Sequence, residues 1–75
     1  QCFTVGVSPA RDESAGYVAY GNSLAVDPWG TVLCRAGAEE TILYADLELS
    51  RISAIRQQLP ILSARRTDLY EIREK

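Results

Sequence analysis

Histidine is absent from this 75-residue sequence, and lysine occurs once, as the terminal Lys75. Without histidine the chain has no Ser-His or Cys-His nucleophile pair, and it lacks a ligand that most zinc sites use. A catalytic lysine needs a fixed, usually desolvated environment, which the end of a chain seldom offers. These absences argue against an independent small enzyme, and we predict no metal site and no cofactor.

Charge and hydropathy exclude further classes of function. The formal net charge is only −2, so we expect no nucleic-acid partner and no binding to an anionic membrane. No run approaches the roughly 18 consecutive apolar residues of a transmembrane helix. No charged-then-apolar leader opens the chain, so we expect no signal peptide, although Gln1 in place of Met is typical of a cut or processed start.

Cysteine is also scarce. Cys2 and Cys34 lie in apolar, strand-like runs, which favours two buried free thiols. Their spacing is compatible with a disulfide, but a single bridge is the less favoured alternative where no other feature indicates secretion.

The centre of the chain, residues 23–46, predicts a hairpin followed by a third strand. Pro28 has the φ that the second position of a type I turn needs, and Gly30 can adopt a left-handed conformation. Together they predict a short loop closed by a glycine bulge. Residues 41–46 are nearly all apolar and predict the third strand. Glu39 and Glu40 precede it, and adjacent acids in a connector favour solvated side chains over an acid–base pair.

The N-terminal part predicts a strand and a loop. Residues 2–8 form an apolar run typical of a strand buried on both faces. Residues 9–22 predict a packed loop, because its aromatic side chains suit a covered position. Ser8 and Arg11 are the residues there that can touch a ligand, the alternative being a turn hydroxyl and a solvated arginine.

The C-terminal part predicts a helix and a tail. Residues 49–59 carry an apolar stripe at helical spacing, and Pro60 ends the helix. Residues 61–75 mix both charge signs with too many apolar groups for a disordered end. The fold class is α+β, in one domain at most. One helix covers only part of one sheet face, so we expect apolar surface that other chain segments or subunits must cover.

Five short motifs occur in order along nearly the whole chain: Gly21-Asn22-Ser23, Pro28-Trp29-Gly30, Ala36-Gly37 followed by Glu39-Glu40, Arg56 to Pro60, and Arg65-Arg66-Thr67-Asp68-Leu69-Tyr70. This series resembles the C-terminal part of the nitrilase-like carbon–nitrogen hydrolases, most of all the omega-amidase branch. The resemblance implies that residues 1–75 belong to a single hydrolase domain with a four-layer αββα sandwich. Its strands, hairpin and helix would form the C-terminal part of that sandwich.

The resemblance also implies a chemistry and its location. Such enzymes hydrolyse amides through a Glu-Lys-Cys triad, and here the substrate would be the terminal amide of short dicarboxylic acid monoamides. Neither Cys2 nor Cys34 has the sequence context of the nucleophile, so the triad lies upstream and we predict no catalytic residue in this chain. Ser8 and Arg11 would lie at the rim of the substrate pocket. The alternative is a non-enzymatic interaction or dimerisation module.

The resemblance finally implies partners for the tail. Its interface residues would be Arg65, Arg66, Asp68, Leu69 and Tyr70, in a homo-oligomer that we expect to be a dimer. The other partners are the remainder of the hydrolase domain and a small-molecule amide. The expected compartment is the cytoplasm, with the mitochondrion as the alternative.

Overall fold

The computed structural model describes residues 1–75 and contains one sheet and one helix. The elements in chain order are β1 (Thr4–Gly6), β2 (Leu24–Val26), β3 (Val32–Arg35) and α1 (Ser50–Gln58). The three strands are antiparallel and lie in the order β1-β2-β3. The α+β composition agrees with the sequence prediction. At nine residues, α1 is far from the length that a membrane-spanning helix needs.

The hairpin between β2 and β3 forms where the sequence predicted it. The Gly30 amide donates to the Asp27 carbonyl, and the Asp27 amide donates to the Thr31 carbonyl, both at 2.9 Å. Gly30 has φ +91°, so the expected left-handed glycine is confirmed. The register shifts by one residue between Ala25 and Val26, which adds an irregularity that the sequence did not predict.

Residues 41–46 do not form the predicted third strand. No backbone hydrogen bond in the structure involves these residues. The physical reason is that a strand exists only as part of a ladder, and no other segment of the chain forms backbone hydrogen bonds with this run. The prediction of a strand rested on residue type, which does not supply a partner.

The N-terminal part of the chain also differs from the prediction. Strand β1 covers only Thr4–Gly6, not residues 2–8, and all three of its residues are exposed. In the following loop, Tyr17 is 85% exposed and Tyr20 is 69% exposed, so the expected packing of these aromatics is wrong. Both cysteines are free, but Cys2 is exposed and Cys34 only partly buried. In each case the residues were expected to be covered, and nothing within the chain covers them.

Very little of the chain is buried. The buried apolar residues are Ala19, Ala25 and Ile55, the last from the predicted stripe of α1. Asp27 is the buried charged residue, at 7% exposure. The radius of gyration is 18.5 Å, against about 11 Å for a compact domain of this length. The expected uncovered apolar surface is therefore confirmed.

Candidate functional site

The main concavity is a cavity of about 410 Å³ on the sheet. All three strands and residues 39–47 contribute to its walls. Most of its lining is apolar, and the side chains with polar atoms are those of Ser8, Ser23, Cys34, Glu39, Glu40 and Thr41. An apolar recess with a few polar groups is the usual form of a small-molecule site.

Ser8 lies in the wall of this cavity, where the sequence predicted a pocket residue. Its hydroxyl accepts a hydrogen bond from the Gly21 amide at 3.1 Å. Its own amide donates to Ser23 Oγ at 2.9 Å. The polar groups of Ser8 therefore join the two ends of the loop.

Arg11 is not among the residues that line the cavity. Its Nη2 donates to the Tyr20 carbonyl at 2.7 Å, and its guanidinium lies 5.2 Å from the centre of the Tyr20 ring. Its amide donates to the Ala38 carbonyl at 2.7 Å. Arg11 has no carboxylate within ion-pair distance, since the ion pairs involve Arg51, Arg66 and Arg73. Most of its guanidinium N–H groups are thus free for an anionic group, on a side chain that is already oriented.

Glu39 and Glu40 also line the cavity, and both are exposed residues without an ion pair. The expected solvated connector agrees with this exposure. No three side chains of the metal-binding types come together in the structure.

The hydrogen bonds and ion pairs of the tail are all local. Arg66 forms a two-bond pair with Asp68, Nε to Oδ1 at 2.9 Å and Nη2 to Oδ2 at 2.7 Å. The Arg66 guanidinium lowers the pKa of the Asp68 carboxyl, and the same bond raises the pKa of Arg66. Arg65 Nε donates to the Leu62 carbonyl at 3.1 Å. Leu69 and Tyr70 are exposed. The structure therefore brings Arg66 and Asp68 together, and leaves the apolar members of the predicted interface uncovered.

Sequence reasoning missed two polar side chains that organise the loops. Ser23 appeared only as part of a motif, yet its hydroxyl bonds to Ser8. Asp27 Oδ1 accepts from the amides of Trp29 and Thr31, both at 2.9 Å. The signal for Asp27 was present, because Asp at the first position of a turn commonly bonds the backbone two residues on.

Comparisons with known proteins agree with the resemblance in the sequence. The family model "Carbon-nitrogen hydrolase" matches residues 1–57. Over all 75 residues the chain is 56% identical to the omega-amidase of Bos taurus and covers 27% of that protein. It is 55% identical to the omega-amidase of Mus musculus and 48% identical to that of Homo sapiens, over the same shares. The chain thus spans about a quarter of the length of these curated relatives, and it belongs to the carbon–nitrogen hydrolase family.

Proposed function

We propose that this chain is a segment from the C-terminal part of an omega-amidase, an enzyme that hydrolyses the terminal amide of short dicarboxylic acid monoamides. The observation that carries the proposal is the 56% identity to an omega-amidase across every residue of the chain. The relationship covers all 75 residues, so it supports the assignment along the whole chain.

In the reaction, this segment would support the fold and face the substrate, without supplying a catalytic group. In the family's chemistry a cysteine attacks the amide carbonyl, a glutamate acts as general base and a lysine stabilises the oxyanion. These three groups belong to the remainder of the domain, and the four-layer sandwich is completed there. This chain contributes sheet and pocket wall, with Ser8 and Arg11 at the pocket rim. The free guanidinium N–H groups of Arg11 suit the carboxylate of a dicarboxylic acid monoamide.

The uncovered apolar surface supports this assignment. Val5 and Val7 near the start of the sequence, and Ile42 and Tyr44 after β3, are largely exposed. Exposed apolar surface of this extent is rare on a monomeric protein and is typical of a surface that other protein covers. The remainder of the hydrolase domain is the cover that we propose for the sheet.

The tail is proposed to serve subunit assembly. Leu69 and Tyr70 are exposed and have no apolar cover within the chain. Arg65 has no carboxylate partner, whereas Arg66 is already paired with Asp68. Arginine and tyrosine are among the residue types enriched at anchor points of protein interfaces. A homodimer interface is therefore the proposed role of residues 61–75, as part of the same enzyme.

Ammonia release from a short ω-monoamide tests the proposed activity. We expect turnover by the intact hydrolase that contains these residues and none by the isolated 75-residue chain, which has no nucleophile in the required context. Replacing Cys34 by serine in the intact protein is the control, because the triad cysteine lies elsewhere and turnover is expected to persist. Loss of turnover in Cys34→Ser with the fold retained, or activity of the isolated chain, would contradict the assignment.

A further inference from the structure

The loop of residues 9–22 is closed at its base by two serine hydroxyls. The Ser8 amide donates to Ser23 Oγ at 2.9 Å, and Ser23 Oγ donates to the Ser8 carbonyl at 3.1 Å. The Gly21 amide donates to Ser8 Oγ at 3.1 Å. The Ser23 hydroxyl thus both donates a hydrogen bond to Ser8 and accepts one from it. We call these three bonds the serine clasp.

A second set of bonds fixes the same loop against the connector after β3. The Arg11 amide donates to the Ala38 carbonyl, and the Asn22 amide donates to the Gly37 carbonyl at 2.9 Å. Gly21 has φ +75°, and a Cβ there would lie 3.0 Å from Ala38 Cα. The base of the loop is therefore held on two sides, by the serine clasp and by residues 37–38.

The serine clasp contributes to the position of Arg11, together with the bond from the Arg11 amide to the Ala38 carbonyl. Only Pro9 and Ala10 separate Ser8 from Arg11, and the ring of Pro9 restricts the backbone between them. A displacement of Ser8 is therefore transmitted to the Arg11 backbone, and from there to the guanidinium that rests on Tyr20. The two serines of the clasp are only partly buried, and neither belongs to the hydrophobic core, so their main effect falls on the geometry of the loop.

We infer that Ser23 is a positioning residue, which acts through Ser8 to hold the segment of residues 8–11 in place for binding the substrate. The inference rests on the proposed function, because it assumes that Ser8 and Arg11 form the pocket rim. It goes beyond that function because it assigns a role to the Ser23 side chain, which lies directly before β2 and contacts no reacting group.

The test compares Ser23→Ala with Ser23→Thr in the intact hydrolase. Alanine removes the hydroxyl, whereas threonine keeps it. Ser14→Ala is the matched control, because Ser14 lies in the same loop and its hydroxyl bonds only to Asp12 at 2.6 Å. Two quantities are measured for each variant: amide hydrogen exchange in peptides that contain Ser8 and Gly21, and kcat and KM for a short ω-monoamide.

We expect Ser23→Ala to speed exchange at both amides and to raise KM about tenfold with kcat little changed, because the combined loss of two part-buried hydrogen bonds is of that order. Ser23→Thr is expected to restore both quantities, and Ser14→Ala to leave both as in the wild type. Unchanged exchange at Ser8 and Gly21 in Ser23→Ala would overturn the clasp. Faster exchange with an unchanged KM would overturn the positioning role. Absence of wild-type turnover on ω-monoamides would instead overturn the proposed function, while the exchange measurement would still decide the clasp.

Discussion

Replacing Asp27 by alanine is expected to destabilise the hydrolase by about 3 kcal/mol. Asp27 is the most buried charged residue of the chain, and its Oδ1 accepts from the amides of Trp29 and Thr31, both at 2.9 Å. A hydrogen bond to a charged group contributes about 1.5–3 kcal/mol. The lower end applies here, because Trp29 and Thr31 are exposed residues whose amides water can reach in the variant. Two such bonds give about 3 kcal/mol.

The ion pair between Asp27 and Arg51 adds little to this figure. The Oδ2 to Nη2 distance is 3.5 Å, and the Arg51 side chain is 48% exposed. A pair so exposed contributes at most about 0.5–1 kcal/mol. We therefore expect Arg51→Ala to cost less than about 1 kcal/mol, which separates the contribution of the loop bonds from that of the contact with α1.

Asp27→Asn is the matched variant for the charge. The amide oxygen can still accept from the two backbone amides, but neutral hydrogen bonds are about half as strong as charge-assisted ones. A cost of roughly 1–1.5 kcal/mol is expected. Urea unfolding of the intact hydrolase measures all three variants. If Asp27→Ala costs no more than Asp27→Asn, or less than about 1 kcal/mol, the two bonds do not stabilise the loop and the reasoning fails.

Two further predictions follow from the glycine at the hairpin and from the tail. Gly30→Val is expected to cost about 1–2 kcal/mol of stability, because the φ of Gly30 is +91° and a β-branched side chain resists that region. Gly16→Val is the control, since a Cβ at either glycine meets nothing within 4 Å and, of the two, only Gly30 has a positive φ. Equal midpoints of the two variants in thermal melts would mean that Gly30 is not required for the left-handed backbone. Deleting residues 64–75 from the intact hydrolase is expected to convert the proposed dimer to monomers at micromolar concentration, measured by mass in solution. A dimer that survives the deletion with unchanged activity would refute the assembly role.

The parts of the fold that the sequence predicted are those with a local cause. The hairpin loop follows from Pro28 and Gly30, whose φ preferences hold in any surroundings. Helix α1 follows from the apolar spacing and the stop at Pro60. These elements lie within two residues of their expected positions. Local signals were sufficient to place both elements along the chain, although the stability of so short a helix still depends on the packing of residues such as Ile55.

The parts that the sequence did not predict depend on a second surface. Residues 41–46 have strand-type side chains but no pairing partner, and Tyr17 has an apolar ring but nothing that covers it. For the site, residue type indicated Ser8 and Arg11 as ligand contacts, which stays a prediction, but it did not indicate their bonds to Gly21, Ser23, Tyr20 and Ala38. Which polar groups meet across a loop depends on its closed shape, and that shape is not encoded in the spacing of residues.

The same contrast explains how a chain with so small a core can form one wall of a defined cavity. Ser23 and Asp27 stand at the two ends of β2, and each closes the loop beside it with hydrogen bonds to backbone groups. Such bonds need no hydrophobic core, because both partners lie within one supersecondary unit. The apolar side chains around them have no cover within the chain, so their stabilising effect requires the remainder of the domain. The geometry of the loops beside the cavity is therefore a property of this segment itself, whereas the position of the segment in the hydrolase domain is a property of the surfaces that cover it.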